Sequence, residues 1–111
     1  MLSDEQWEFL QDVAKLIEYA KDMGYKLTGG ELYRTRYQQK EYMRTGRSKT
    51  MRSYHLKRLA IDLNVFVGGD LTWDYNDIEP LGIFWESLSP KNRWGGHFRN
   101  FKDLPHFERR A

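Results

Sequence analysis

The chain has 111 residues, enough for one domain with its own core and too few for a second of ordinary size. Hydrophobic residues at 40% and aromatic residues at 15% exclude a disordered chain, and the absence of cysteine excludes disulfides, thiolate zinc fingers, iron–sulfur clusters and cysteine nucleophiles. A net charge of +2 names no partner, and any metal site must draw on carboxylates and the histidines His55, His97 and His106.

Ser3 and Gln6 have the spacing of a capping box, with Asp4 and Glu5 in a first turn where acids suit the helix dipole. Trp7, Leu10, Val13, Ala14, Ile17 and Ala20 recur at helical spacing and are read as the buried face, with Gly24 as the stop. Tyr25 to Thr28 is a short strand ahead of Gly29-Gly30. Thr35 and Gln38 open a second helix that runs to about Arg44 and closes at Gly46, and residues 45–53 form a polar, basic loop. Leu59 to Val67 is the strongest strand pattern, with Leu59, Ile61, Leu63 and Val65 alternating with Ala60, Asp62 and Asn64. Gly68-Gly69 turns it into Leu71-Thr72-Trp73 as a hairpin. Glu79 to Leu88 reads as a third helix with Pro80 near its first turn, Trp94-Gly95-Gly96 as a loop, and His106-Phe107-Glu108 as a last strand. The expected fold is α+β, a small antiparallel sheet with two to three helices, in a single domain over residues 1–111. The acidic N-terminus lacks the basic and apolar regions of a signal peptide, and no apolar run reaches the length of a membrane span.

Asp62 lies in the middle of the most hydrophobic strand, where an unpaired carboxylate is costly to bury. It needs a cation, a metal or several donors. His55 precedes that strand and His106 lies in the last one. Two histidines and an aspartate leave a fourth position open for water, the layout of catalytic rather than structural zinc. Asp103, just before His106, has the chemistry of a general base and acid. On the residues alone a plainer reading stands beside this one: Asp103 caps a helix, the histidines are ordinary polar residues, and Asp62 pairs with an arginine. Trp7, Trp73 and Trp85 are expected in the core, and Trp94 either there or in a cleft. Glu108 alternates with His106, so both face one side of a strand; it either orients a histidine or sits on the surface.

Ser53-Tyr54-His55-Leu56-Lys57-Arg58-Leu59-Ala60-Ile61-Asp62 resembles the Ser-x-His-x-x-Gly-x-Ala-x-Asp signature of a zinc peptidase family. That family contains D-alanyl-D-alanine carboxypeptidases and dipeptidases and the L-alanyl-D-glutamate endopeptidases used as phage endolysins. Trp94-Gly95-Gly96 and Asp103-Leu104-Pro105-His106-Phe107 are similar to its Trp-Gly-Gly and (Asp/Glu)-x-x-His-(Phe/Trp) segments, and Arg34-Thr35 with Gln38-Gln39 to its Arg-(Ser/Thr)-x-x-x-Gln element. The resemblance implies that His55, Asp62 and His106 hold Zn²⁺ on the sheet, that Asp103 is the catalytic base, and that Arg34 polarises the scissile carbonyl. Ser53, Trp94 and Glu108 would touch substrate or support the ligands. One departure is plain: the family's glycine is Arg58 here, a position that suggests a positive φ or close packing. His97 is not expected to bind the metal.

The function this implies is a zinc metallopeptidase acting on the peptidoglycan stem peptide, with the L-alanyl-D-glutamate bond as first choice. A D-alanyl-D-alanine carboxypeptidase is the alternative within the family. A non-catalytic zinc- or nucleic-acid-binding module is the alternative outside it. From Arg34 to Arg58 many cations face Glu41 alone, which suits a rim that attracts carboxylated substrate, a solvated face, or a nucleic-acid surface, in that order. The chain is expected to act as a monomeric catalytic domain without a wall-binding module, membrane or nucleic acid. It would be made in the cytoplasm of an infected cell and reach the wall after release.

Overall fold

The structure, a computed structural model, describes residues 1–30, 35–45 and 53–111. The first helix, α1, spans Leu2–Asp22. It begins ahead of the expected Ser3 cap: Met1 is the cap residue, and its amino group donates to the Asp4 carboxylate at 3.3 Å. Gln6 instead donates to the Lys57 carbonyl at 2.9 Å, tying the helix to the segment before the central strand. Gly24, with φ 83°, ends the helix as expected, since a residue with a Cβ is strained there.

The buried face of α1 is Phe9, Asp12, Val13, Leu16 and Ala20. Trp7 is 61% exposed, Leu10 53% and Ile17 45%, and Ala14 is exposed as well, which corrects the assignment of these four to the core. Two apolar stripes run along this helix with the same period. The inner one meets the third helix and the sheet because Asp12 and Phe9 find partners there. Asp12 accepts a hydrogen bond from Asn92 at 3.1 Å, and the Phe9 ring meets Trp85 edge-on at 5.6 Å between centroids.

β1 is Lys26–Gly29 and α2 is Arg36–Arg44, capped by Thr35, whose hydroxyl accepts from the Gln38 amide at 3.1 Å. The expected stop at Gly46 lies outside the described residues. β2 is Ala60–Val67 and β3 is Asp70–Thr72, joined by Gly68-Gly69 as the hairpin reading required. Trp73, just beyond, is 55% exposed rather than in the core. α3 runs over Tyr75–Leu88 and so starts before Glu79. Its cap is Asp74, which accepts from the Asn76 amide at 2.7 Å; Pro80 then lies inside the helix and removes one intrahelical bond. β4, Asn92–Trp94, is too short to show any alternation in sequence. β5 is His106–Arg109.

All strand pairs are antiparallel, in the order β1-β2-β5-β4, with β3 on the far half of β2. Leu63, Trp94 and Phe107 pack with the apolar side chains of α1 and α3, and the indole N–H of Trp85 donates to the Glu108 carbonyl at 3.0 Å. Arg109 reaches back to Glu5 of α1 at 2.6 Å, joining the two ends of the chain. The architecture is the α+β arrangement of three helices and a small antiparallel sheet read from the sequence. No helix among the described residues is long and apolar enough to cross a membrane.

Candidate metal centre

β2 and β5 pair with Asp62 directly opposite His106 and Ala60 opposite Glu108. Side chains alternate along a strand, so Asp62, His106 and Glu108 share the face turned away from Phe107. His55 comes from the 3-10 turn Tyr54–Lys57 that leads into β2. Ser53 caps that turn, its hydroxyl accepting from the His55 amide at 3.2 Å. Arg58 closes it at φ 58° and ψ 37°, the left-handed conformation that the family's glycine adopts freely. The turn is thus formed here with an arginine carrying the strain. Gly30 lies against the other edge of β2, where its N–H donates to the Asp62 carbonyl at 2.8 Å and a side chain would meet that oxygen.

His55 Nε2 and His106 Nδ1 each lie 3.3 Å from the same Asp62 oxygen, Oδ1. One ligand atom from each of the three residues falls within 4.8 Å of the others. Neighbouring ligands of a tetrahedral zinc with bonds of about 2.0–2.1 Å sit roughly 3.3 Å apart. Two imidazoles and one carboxylate at this spacing fit a zinc ion and leave a position for water. Among the described residues, Asp62 is thus paired with histidines. Burial opposes its ionisation, but hydrogen bonds from His106 and His55 outweigh it and hold the carboxyl well below the usual range. Burial likewise opposes a charged His106, yet the hydrogen bonds and charges of Asp62 and Glu108 raise its pKa to about 9. The cluster thus favours a concentrated positive charge, whether a proton or a metal ion.

Glu108 is buried, resolving its two sequence readings in favour of contact with the histidine: His106 Nε2 lies 2.7 Å from Glu108 Oε1. Arg110 donates to the other carboxylate oxygen at 2.6 Å. The turn before β5 is fixed by its backbone. The Asp103 amide donates to the Gly95 carbonyl at 2.9 Å, and the Asp103 carbonyl accepts from the His106 amide at 3.1 Å. Trp94 has no exposed surface, so it does not line a cleft; its indole N–H donates to the Leu104 carbonyl at 2.8 Å and supports that turn from beneath. Gly82 and Gly96 flank the indole so closely that a Cβ on either would overlap it. His97 is not in the cluster and pairs instead with Glu86 at 2.9 Å. Arg34 lies outside the described residues.

Sequence reasoning missed Gly30, Glu86 and Arg110. The alternation that links His106 to Glu108 extends one step to Arg110, so that signal was present. Nothing in the sequence marks Gly30 as a neighbour of Asp62, because the pairing of β1 with β2 is non-local.

A family model described as D-alanyl-D-alanine carboxypeptidase matches residues 46–109, more than half of the chain, and the chain belongs to that peptidase family. The L-alanyl-D-glutamate peptidase of Listeria phage A118 is 32% identical over 95 residues, which is 85% of this chain and 34% of that protein. The chain thus spans about a third of the length of this curated relative. Among solved structures, the Serratia marcescens L-Ala D-Glu endopeptidase ChiX matches with a TM-score of 0.76 at 24% identity, over 91% of this chain and 77% of that one. That likeness concerns the fold.

Proposed function

We propose that this chain is a zinc peptidase that hydrolyses the L-alanyl-D-glutamate bond of the peptidoglycan stem peptide and serves as the catalytic domain of a phage endolysin. The observation that carries the reading is the convergence of His55 Nε2, Asp62 Oδ1 and His106 Nδ1 across β2 and β5. These residues hold the ion. When bound, zinc supplies the Lewis acidity that activates water near neutral pH and polarises a carbonyl. Asp103 takes the proton of the attacking water and returns it to the leaving amine. Its place in the tight turn before His106 supports this role. Arg34 carries part of the negative charge that develops on the carbonyl oxygen. Ser53 sets the turn that presents His55, and Trp94 holds the Asp103–His106 turn from beneath. The phage relative's name supports the choice of bond. The family's description favours a second reading, removal of a terminal D-alanine, with the same machinery. The substrate is taken by a monomer, produced in the infected cell and acting on the wall after release, without nucleic acid or membrane as partner.

Digestion of purified peptidoglycan, with mass spectrometry of the fragments, tests the reading. New N-terminal D-glutamate ends are expected. Release of single D-alanine residues selects the second reading, and no zinc-dependent fragment refutes both. On the same substrate Asp103→Asn keeps its zinc and loses about 10²–10⁴-fold in rate. Loss of zinc from Asp103→Asn would make Asp103 a ligand instead. Arg34→Ala keeps zinc and loses ~10²–10³-fold, whereas unchanged turnover would return Arg34 to the solvated basic face.

A further inference from the structure

His106 has two ring nitrogens, and only one can be offered to a metal. Nδ1 lies 3.3 Å from Asp62 Oδ1, on the side of His55, and Nε2 lies 2.7 Å from Glu108 Oε1. Glu108 is 5% exposed and stands opposite Ala60, whose small side chain leaves it room on that face. Its second oxygen, Oε2, accepts from Arg110 Nε at 2.6 Å. The Phe98 ring covers this ladder: the Arg110 guanidinium carbon is 5.4 Å from its centroid, and the His106 ring 5.8 Å. Strand periodicity puts His106 and Glu108 on one face, and Arg110, two residues further and just past the end of β5, continues the same spacing.

We propose that Arg110 and Glu108 are positioning residues that fix the orientation and tautomer of His106. Arg110 holds the carboxylate of Glu108, Glu108 accepts a hydrogen bond from the Nε2–H of His106, and the lone pair of Nδ1 is thereby left for the metal. A metal-bound histidine commonly donates its other N–H to a carboxylate, and loss of that partner weakens metal binding by about 10–100-fold. Here the carboxylate has an anchor of its own. Arg110 sits at the rim with 49% of its side chain exposed, so it acts on the metal through two other residues rather than by contact. The inference rests on the zinc reading of the His55–Asp62–His106 cluster.

The test is zinc affinity by chelator competition, together with ¹⁵N NMR of histidine-labelled, zinc-loaded protein. In the wild type, zinc is expected on His106 Nδ1 with the proton on Nε2. Glu108→Ala should bind zinc 10–100-fold more weakly and lose the single tautomer. Glu108→Gln retains an acceptor and should restore the tautomer and most of the affinity. Arg110→Ala should fall between, with Arg110→Lys partly rescued; because Arg110 is at the rim, these variants report even if Glu108→Ala does not fold. Zinc on Nε2, or wild-type affinity with a single tautomer in Arg110→Ala, overturns this inference alone. A wild-type chain that binds no zinc overturns the metal centre and this inference together.

Discussion

With glycine at position 58 the protein should be more stable than with alanine. Arg58 sits at φ 58° and ψ 37°, at the end of the turn that presents His55, and its N–H donates to the His55 carbonyl at 3.2 Å. An L-residue in the left-handed region costs roughly 1–2 kcal/mol. Glycine removes that strain but frees the unfolded chain by about 0.5–1 kcal/mol. The balance is about 0.5–1 kcal/mol in favour of glycine, a rise of ~2–4 °C in Tm for a domain of this size. Arg58→Ala is the control, because it removes the side chain and keeps the strain. The assay is thermal unfolding of wild type, Arg58→Gly and Arg58→Ala by circular dichroism, in chelator and again with zinc. The glycine variant should melt above the alanine variant under both conditions. If Arg58→Gly melts at or below Arg58→Ala, strain does not limit this position; if both melt well below wild type, contacts of the arginine side chain outweigh the strain.

His55→Ala and His106→Ala should abolish stoichiometric zinc by elemental analysis, while His97→Ala, which loses its pairing with Glu86 and its ring contacts with Trp94 and Tyr75, should keep it; the reverse pattern would overturn the ligand assignment. In chelator, His106 binds its proton more tightly in the folded chain, with a pKa of about 9 against an ordinary 6.5. The stabilisation is therefore complete below pH 6.5 and lost as pH rises to 9. The urea midpoint of the metal-free chain should fall across that window, and a flat profile would count against the charged pairing of His106 with Asp62 and Glu108. Gly82→Ala should destabilise the protein although alanine favours helix by about 1 kcal/mol, because the new methyl overlaps the buried Trp94 ring; overpacking of ~1–3 kcal/mol outweighs the gain. A raised Tm for Gly82→Ala would show that the indole can shift.

Local chemistry determined much of this protein. Thr35, Gly24 and Gly68-Gly69 act on their own neighbours, so a cap, a helix end and a hairpin could be read where they stand. The alternation around Asp62 and the motif containing His55 singled out His55, Asp62 and His106, which the fold brings together, because each residue type carries its own coordination chemistry. The tertiary structure decided what local chemistry leaves degenerate. Two stripes of α1 had equal claims to the core, and Trp7 lost because Phe9 and Asp12 meet Trp85 and Asn92, far along the chain. Trp94 could have faced a cleft until Gly82 and Gly96 closed around it. The register of β2 against β5 placed Asp62 opposite His106 and gave Glu108 and Arg110 their positions behind the His106 ring. A one-residue slip would turn that whole set to the other face, so register, fixed only by long-range pairing and core burial, completes the site.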